Sequence, residues 1–221
     1  MDTVWSRPQR APRQTLTLDR IVEEALALLD EEGVGRLTMR RLAERLGTGS
    51  TTLYWHVKTK DDVLDLALDA IFQEVRVPRG ETDAGGPGDD WRVRVRGLMR
   101  GWRAALLRHP WSATLLDRPL LGPNALERTE FLYQTLTAAG FGAPKAAAYS
   151  LSNYVMGSVI MQVTWEGRDE TGTGAFLDEH AGRYPALAEH GLDHEWDTTF
   201  DEGLGYLLDG MARSRVPRND A

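Results

Sequence analysis

Residues 37–60 read LTMRRLAERLGTGSTTLYWHVKTK. Thr38 is suited to cap a short helix whose Met39, Leu42, Ala43 and Leu46 recur at spacings of three and four. Gly47 and Gly49 mark a tight turn. A second short helix begins near Ser50 and carries Thr51, Thr52, Tyr54, Trp55 and His56. Helix, glycine-marked turn, helix is the layout of a helix-turn-helix, whose second helix lies in a DNA major groove.

Working outward, Ile21, Val22, Ala25, Leu28 and Leu29 repeat at helical spacing behind a capping Thr17, and Gly33 and Gly35 end that helix. On the other side, Thr59-Lys60-Asp61-Asp62 forms a capping box with aspartate in its third position. It opens a helix with Val63, Leu64, Ala67, Ala70 and Ile71 as its apolar face. Residues 1–15 hold two prolines and three arginines and read as a disordered basic arm. Residues 16–76 form the helix-turn-helix domain with its connecting helix. Residues 77–90, rich in Pro, Gly and Asp, are a linker.

The remainder, 91–221, also reads as helical. Trp91–His109 has Val95, Leu98, Met99, Trp102, Ala105 and Leu106 in register and stops at Pro110. A short helix is expected near Ser112–Leu116, a longer one over Asn124–Ala139, and a turn of helix at Ala186–Glu189. Ala143–Trp165 is the most apolar long segment, interrupted after its end by the Gly-rich 167–174. Its stripe is Leu151, Val155, Val159 and Val163, with Tyr154, Ile160 and Met161 on other faces. A helix apolar on several faces is buried on several faces. Trp196–Arg213 closes the chain with Phe200, Leu204, Leu207, Leu208 and Met211 aligned. No strand pattern and no repeat is present, so the fold class is all-α.

The chain has 221 residues, no cysteine and a net charge of −7. Disulfide scaffolds, thiol catalysis and Cys-based zinc sites are excluded. No run of 18 apolar residues exists, and the N-terminus lacks a signal-peptide core, so a cytoplasmic protein is expected. The acidic balance argues against nucleic-acid binding, but it is unevenly spread. Residues 1–60 carry ten Lys/Arg against eight Asp/Glu, while the rest carries sixteen against twenty-five. An acidic body with a locally basic head suits a specific DNA binder better than a general coat.

Within the head, small hydroxyl residues at the start of the second helix can meet base edges or phosphates. Ser50, Thr51 and Thr52 fill that place, and a Thr methyl can meet a thymine methyl. Arg40 has the side chain best shaped to grip guanine. Tyr54, His56, Lys58 and Lys60 lie later and suit phosphate contacts. Tyr54 and Trp55 have two readings, core aromatics or DNA contacts. Leu53 and Val57 are core, and Arg41 and Arg45 form a solvated face.

These residues resemble the TetR family of transcriptional repressors. GLTMRRLAERLG followed by TLYWHVKTKDDVLD matches that family's head in order and spacing over about residues 18–72, and LYWHVKTK is close to its tetracycline-repressor branch. Trp91, LLRHP at 106–110, GPNAL at 122–126, GF at 140–141 and the Tyr154–Gly157 stretch resemble the same branch more loosely. The resemblance implies an all-helical homodimer, in which each subunit joins a DNA-reading head to a ligand-binding, dimerising body. It also implies that the Arg40 position can reach a guanine. Two helices from each subunit, near 143–165 and 196–213, are the expected dimer contact. Expected partners are a double-stranded palindromic operator and a small-molecule effector.

The effector pocket is expected among Trp102, Leu116, Phe131, Asn153, Met156, Met161 and Trp165, each of which can equally be ordinary core. The set is aromatic and Met-rich and suits a flat or adaptable apolar ligand. The tetracycline-repressor branch holds a drug–magnesium chelate. Aligned landmarks place Leu116 and Met161 at its chelate-ligand positions, and Arg76 and Leu98 at the two others near the entrance. Leu and Met give magnesium no adequate site, so no magnesium–tetracycline binding and no cofactor is expected. Rival readings are a helix-turn-helix regulator that senses no ligand and a metal-dependent enzyme or sensor. The second rests on His190 and His194, four apart, but Gly191 weakens a helix there and no HExxH, P-loop, GxSxG or dinucleotide motif occurs.

Overall fold

A computed structural model describes residues 16–77, 91–166, 173–192 and 195–213. Among them the elements are ten α-helices and a short 3-10 helix, with no strand. The helices are α1 (Leu18–Glu32), α2 (Met39–Arg45), α3 (Ser50–Leu53), α4 (Lys60–Gln73), α5 (Trp91–Arg108), α6 (Pro123–Ala138), α7 (Pro144–Glu166), α8 (Thr173–Glu179), α9 (Pro185–His190) and α10 (Trp196–Ala212). The 3-10 helix is Pro110–Leu115. The basic arm at 1–15, the linker after Val77, the glycine-rich 167–172, His194 and the last eight residues lie outside the described residues.

The chain divides into two compact units, one up to Ala67 and one from Leu68 onward. The division falls inside α4, whereas the sequence reading kept all of 16–76 in the head. The reason is nonlocal. Asp69, Phe72, Glu74 and Val75 each bond or stack with residues far along the chain, namely Asn124, Trp102, Arg108 and Arg128.

In the first unit, local chemistry sets the helix ends. Thr17 Oγ1 accepts from the Arg20 N–H at 3.3 Å, and Thr38 Oγ1 from the Arg41 N–H at 3.1 Å. The capping box at α4 is complete. Thr59 Oγ1 accepts from the Asp62 N–H, and the Asp62 carboxylate accepts from the N–H groups of Thr59 and Lys58. Gly33 ends α1 with φ 75° and Gly47 turns the chain after α2 with φ 63°, a region that favours glycine. Ile21, Ala25 and Leu28 of α1, Leu42 of α2, Leu53 of α3 and Ala67 of α4 are wholly buried and make the core.

In the second unit α7 is the central helix, packed on α5, α6 and α10. Its sequence is apolar all round, yet in this chain only Ala147, Ala148, Leu151, Val155 and Val159 are buried. Tyr149, Ile160 and Met161 stay exposed. Burial on several faces is therefore not met within a single chain. Three side-chain junctions that the sequence reading missed, two by arginines and one by an aspartate, tie the helices of this unit together. Arg128 on α6 donates all five of its N–H groups, to Val75 O twice and to Gln73 O, Asn124 O and the Glu127 carboxylate. It thereby covers the Gln73 carbonyl at the C-terminus of α4 and the Val75 carbonyl just beyond it. In return Asp69 on α4 accepts from the Asn124 and Ala125 N–H groups at the start of α6. Arg103, 7% exposed, ties α5 to α7 and α10 through Ser158, Gln162 and Asp197 and lies over the Phe200 ring.

Candidate nucleic-acid interface and candidate effector site

The head buries Leu53 and Val57 and leaves most of the intervening and flanking residues outside. Helix α3 is shorter than the sequence pattern implies. It ends at Leu53, and Tyr54, Trp55 and His56 continue it as bonded turns, with Tyr54 N–H on Ser50 O, Trp55 N–H on Thr52 O and His56 N–H on Leu53 O. Thr51, Thr52, Tyr54, Trp55, His56 and Lys58 are exposed, while Ser50 and Lys60 are half-buried. Trp55 is 79% exposed and Tyr54 44%, so neither is a core aromatic of the head. An indole left in water that far carries no packing role in the chain by itself.

The cations around this turn are not equivalent. Arg40 is 86% exposed and held along its own helix by Glu44 at 2.9 Å, an exposed pair of little net worth. Lys58 Nζ donates to Tyr54 O, and Lys60 Nζ reaches back to Val34 O at 2.8 Å. Lys60 thus ties the start of α4 to the loop after α1, a use beside any phosphate contact. Arg45 is no solvated residue: its guanidinium bonds Glu31 and Glu24 on α1. Those hydrogen bonds raise its pKa further above the ordinary arginine range, the Glu31 bond most. Arg41 pairs with Glu32 in the same way. Glu24, Glu31 and Glu32 of α1 thus pair with Arg41 and Arg45 of α2, while Arg40, His56 and Lys58 stand exposed around the turn.

The residues expected to line an effector pocket fall into two groups. Trp102, Leu116 and Phe131 are buried, Met156 and Trp165 are half-buried, and Asn153 and Met161 are exposed. Asn153 Nδ2 is engaged by Tyr149 O along α7. Trp102 meets Phe72 edge-on at 5.4 Å, and the Arg94 guanidinium lies 4.8 Å from the Phe131 ring centroid. Three clefts formed by described residues of this unit have other linings. One of about 560 Å³ runs between α6 and α7, beside Tyr133, Ala148 and Tyr149. Two of about 380 Å³ are lined by Phe141, Ala147 and Met211 and by Arg100, Arg103 and Phe200. None of the seven expected residues lines these three. Among the described residues no cluster of three or more His, Cys, Asp or Glu is placed to hold a metal. No helix among them is long and apolar enough to cross a membrane.

A small helical core with an exposed Thr-Thr, aromatic and basic turn, joined in one chain to a larger helical body, defines a helix-turn-helix transcriptional regulator. The family model of bacterial regulatory proteins, tetR family, matches residues 21–67, and that of the tetracyclin repressor-like C-terminal domain matches residues 84–215. The chain belongs to the TetR family. It is 49% identical to an HTH-type transcriptional regulator of Saccharopolyspora erythraea, over 95% of this chain and 91% of that protein. It is 33% identical to the class A tetracycline repressor protein from transposon 1721 of Escherichia coli, over 89% of this chain and 90% of that one. Its structure is similar to that of ActR from Streptomyces coelicolor in complex with actinorhodin, with a TM-score of 0.79 and 32% identity over 93% of this chain and 99% of that chain. Such relatives are regulators of transcription, and so is this chain; it is not an enzyme.

Proposed function

We propose that the chain represses transcription by binding a palindromic operator as a homodimer, and that a small, largely apolar or aromatic molecule bound in the body releases it. The observation that carries this reading is the exposure of the turn after Ser50. Thr51, Thr52, Tyr54, Trp55 and His56 stand in water on a core anchored by Leu53 and Val57. In this reading Arg40, Ser50, Thr51 and Thr52 meet base edges. Tyr54, Trp55, His56, Lys58 and Lys60 meet the backbone.

A single short recognition turn makes too few contacts for a useful specificity ratio, so two heads on a two-fold site are needed. The apolar surface left over on α7 and α10 supports pairing through those helices. Tyr149 is 72% exposed, Met161 55% and Tyr206 76%. A second copy would bury such surface as a four-helix contact.

For the effector, the solved complex of the relative ActR with actinorhodin supports a small-molecule ligand. A magnesium-bound drug is disfavoured, because Leu116 and Met161 offer no hard oxygen ligand. Release then requires that the ligand bind the operator-incompetent state more tightly than the competent one.

The test is binding of the purified chain to a selected operator and to random duplex. Arg40→Ala should weaken the operator complex by about tenfold or more while changing random-duplex binding little. Equal loss on both duplexes, or no loss on either, contradicts the assignment.

A further inference from the structure

The cleft of about 380 Å³ between α5 and α10 has a buried cation in its wall. Its α5 side is one helical stripe, Arg100, Arg103, Ala104 and Leu107. Asp197, Phe200 and Asp201 face it from α10. The two arginines are held differently. Arg100 is exposed, and its guanidinium meets both oxygens of Asp201, at 2.6 and 2.7 Å. Arg103 is 7% exposed. Its Nε, Nη1 and Nη2 each donate once, to Ser158 Oγ, Asp197 Oδ1 and Gln162 Oε1. A guanidinium carries five N–H groups. One on Nη1 and one on Nη2 therefore have no acceptor among the described residues. Buried donors are nearly always paired, so these two call for an external acceptor.

The chemistry of the cleft limits that acceptor. Asp197 touches Arg103 through one oxygen at 2.5 Å, while its own side chain is 89% exposed. Such a carboxylate returns to water at little cost when another takes its place. A ligand carboxylate can offer one oxygen to each terminal nitrogen, the fork-to-fork fit that a single contact does not make. Two arginines stand against two aspartates in the lining, so a dianion gains no net attraction there. Ala104, Leu107 and Phe200 supply the apolar wall for the rest of the molecule.

We propose that this cleft binds a small monocarboxylate with an apolar body, whose carboxylate accepts from Nη1 and Nη2 of Arg103 in place of Asp197. None of the seven residues expected around an effector lines it, so the site is separate from that reading and does not depend on it. Tyr206, whose exposed ring supports pairing of two subunits, lies about 140–180° round α10 from Asp201 and Asp197. A dimer formed through that face leaves the cleft open.

Titration of the full chain with sodium benzoate at constant ionic strength tests it, followed by the side-chain Nε–Hε resonances of isotope-labelled arginine. The Arg103 resonance, identified by its loss in Arg103→Lys, should shift to saturation with a Kd below about 1 mM. Benzamide, the uncharged isostere, should bind at least about tenfold more weakly. Asp197→Asn removes the competing charge at an exposed position and should tighten benzoate binding about fivefold. Arg103→Lys should weaken it at least about tenfold. Thermal melting shows whether that variant folds, and the Asp197→Asn and benzamide comparisons stand without it. Unchanged or weaker benzoate binding by Asp197→Asn would overturn the exchange of one carboxylate for another. Benzamide binding within threefold of benzoate, or a shift that never saturates, would overturn the site itself.

Discussion

Arg128 gives the sharpest energetic prediction. Its side chain is 7% exposed, and all five N–H groups are in use. Arg128→Met keeps most of the aliphatic stem and removes every donor. Val75 O suffers most, because it accepts two of the bonds, from Nε at 3.0 Å and Nη2 at 2.8 Å, and Val75 is 1% exposed. Gln73 is exposed and Asn124 half-buried, so water replaces those bonds at little cost. Glu127 is 39% exposed and rehydrates likewise. Hydrogen bonds to a charged group are worth about 1.5–3 kcal/mol each, and two on one carbonyl do not add fully. The expected loss is therefore roughly 3 kcal/mol. For a unit of this size that lowers Tm by about 6–12 °C. Circular dichroism melts of wild type, Arg128→Met and Arg128→Lys measure it, with the lysine variant in between because an ammonium lacks the planar fork. A methionine variant melting within about 2 °C of wild type would refute the capping role.

Three further outcomes follow from other parts of the molecule. Gly203→Ala places a Cβ about 2.2 Å from Tyr154 Oη, which donates to Phe200 O. It should lower Tm, and Tyr154→Phe should lower it less in that background than in wild type; additive losses would show no such contact. Asp201 is held below the usual carboxylate range by its hydrogen bonds from Arg100, so its contribution is present above that range and fades as pH falls through its folded pKa. The Tm gap between wild type and Asp201→Asn should therefore close as pH falls from 7 to about 3, and a constant gap would rule out the charge as its source. Trp55→Ala should leave Tm nearly unchanged, as expected of an exposed site, yet weaken DNA binding about tenfold. A large loss of Tm would restore a packing role.

What could be read in the sequence is what is decided locally. Thr17, Thr38 and the Thr59–Asp62 box were legible because a cap needs one side chain within three residues of its target. Leu53 and Val57 were legible because a short helix with one buried face leaves no other choice. The true length of α3 was not, since Tyr54–His56 keep helical bonding in a looser turn. The partners of Arg45, Arg103 and Arg128 were also hidden. Each lies up to 94 residues from an acceptor that only the folded chain brings near. Helix α8 went unseen because its Thr173-Gly174 start extends the glycine-rich run before it. The effector set was the least legible part. Periodicity marks a side chain as inward or outward relative to one helix, but Asn153 and Met161 sit on faces of α7 that the single chain leaves exposed.

The central claim is a two-fold operator released by a ligand, and the most direct measurement is selection of duplexes from a random pool by the purified full-length chain. The account predicts an enriched palindrome, its half-sites one helical turn or a multiple apart. It also predicts that a small, largely apolar or aromatic molecule bound in the body releases the retained duplex. Recovery of no common sequence, or of a single unsymmetrical site bound by one subunit, would contradict it.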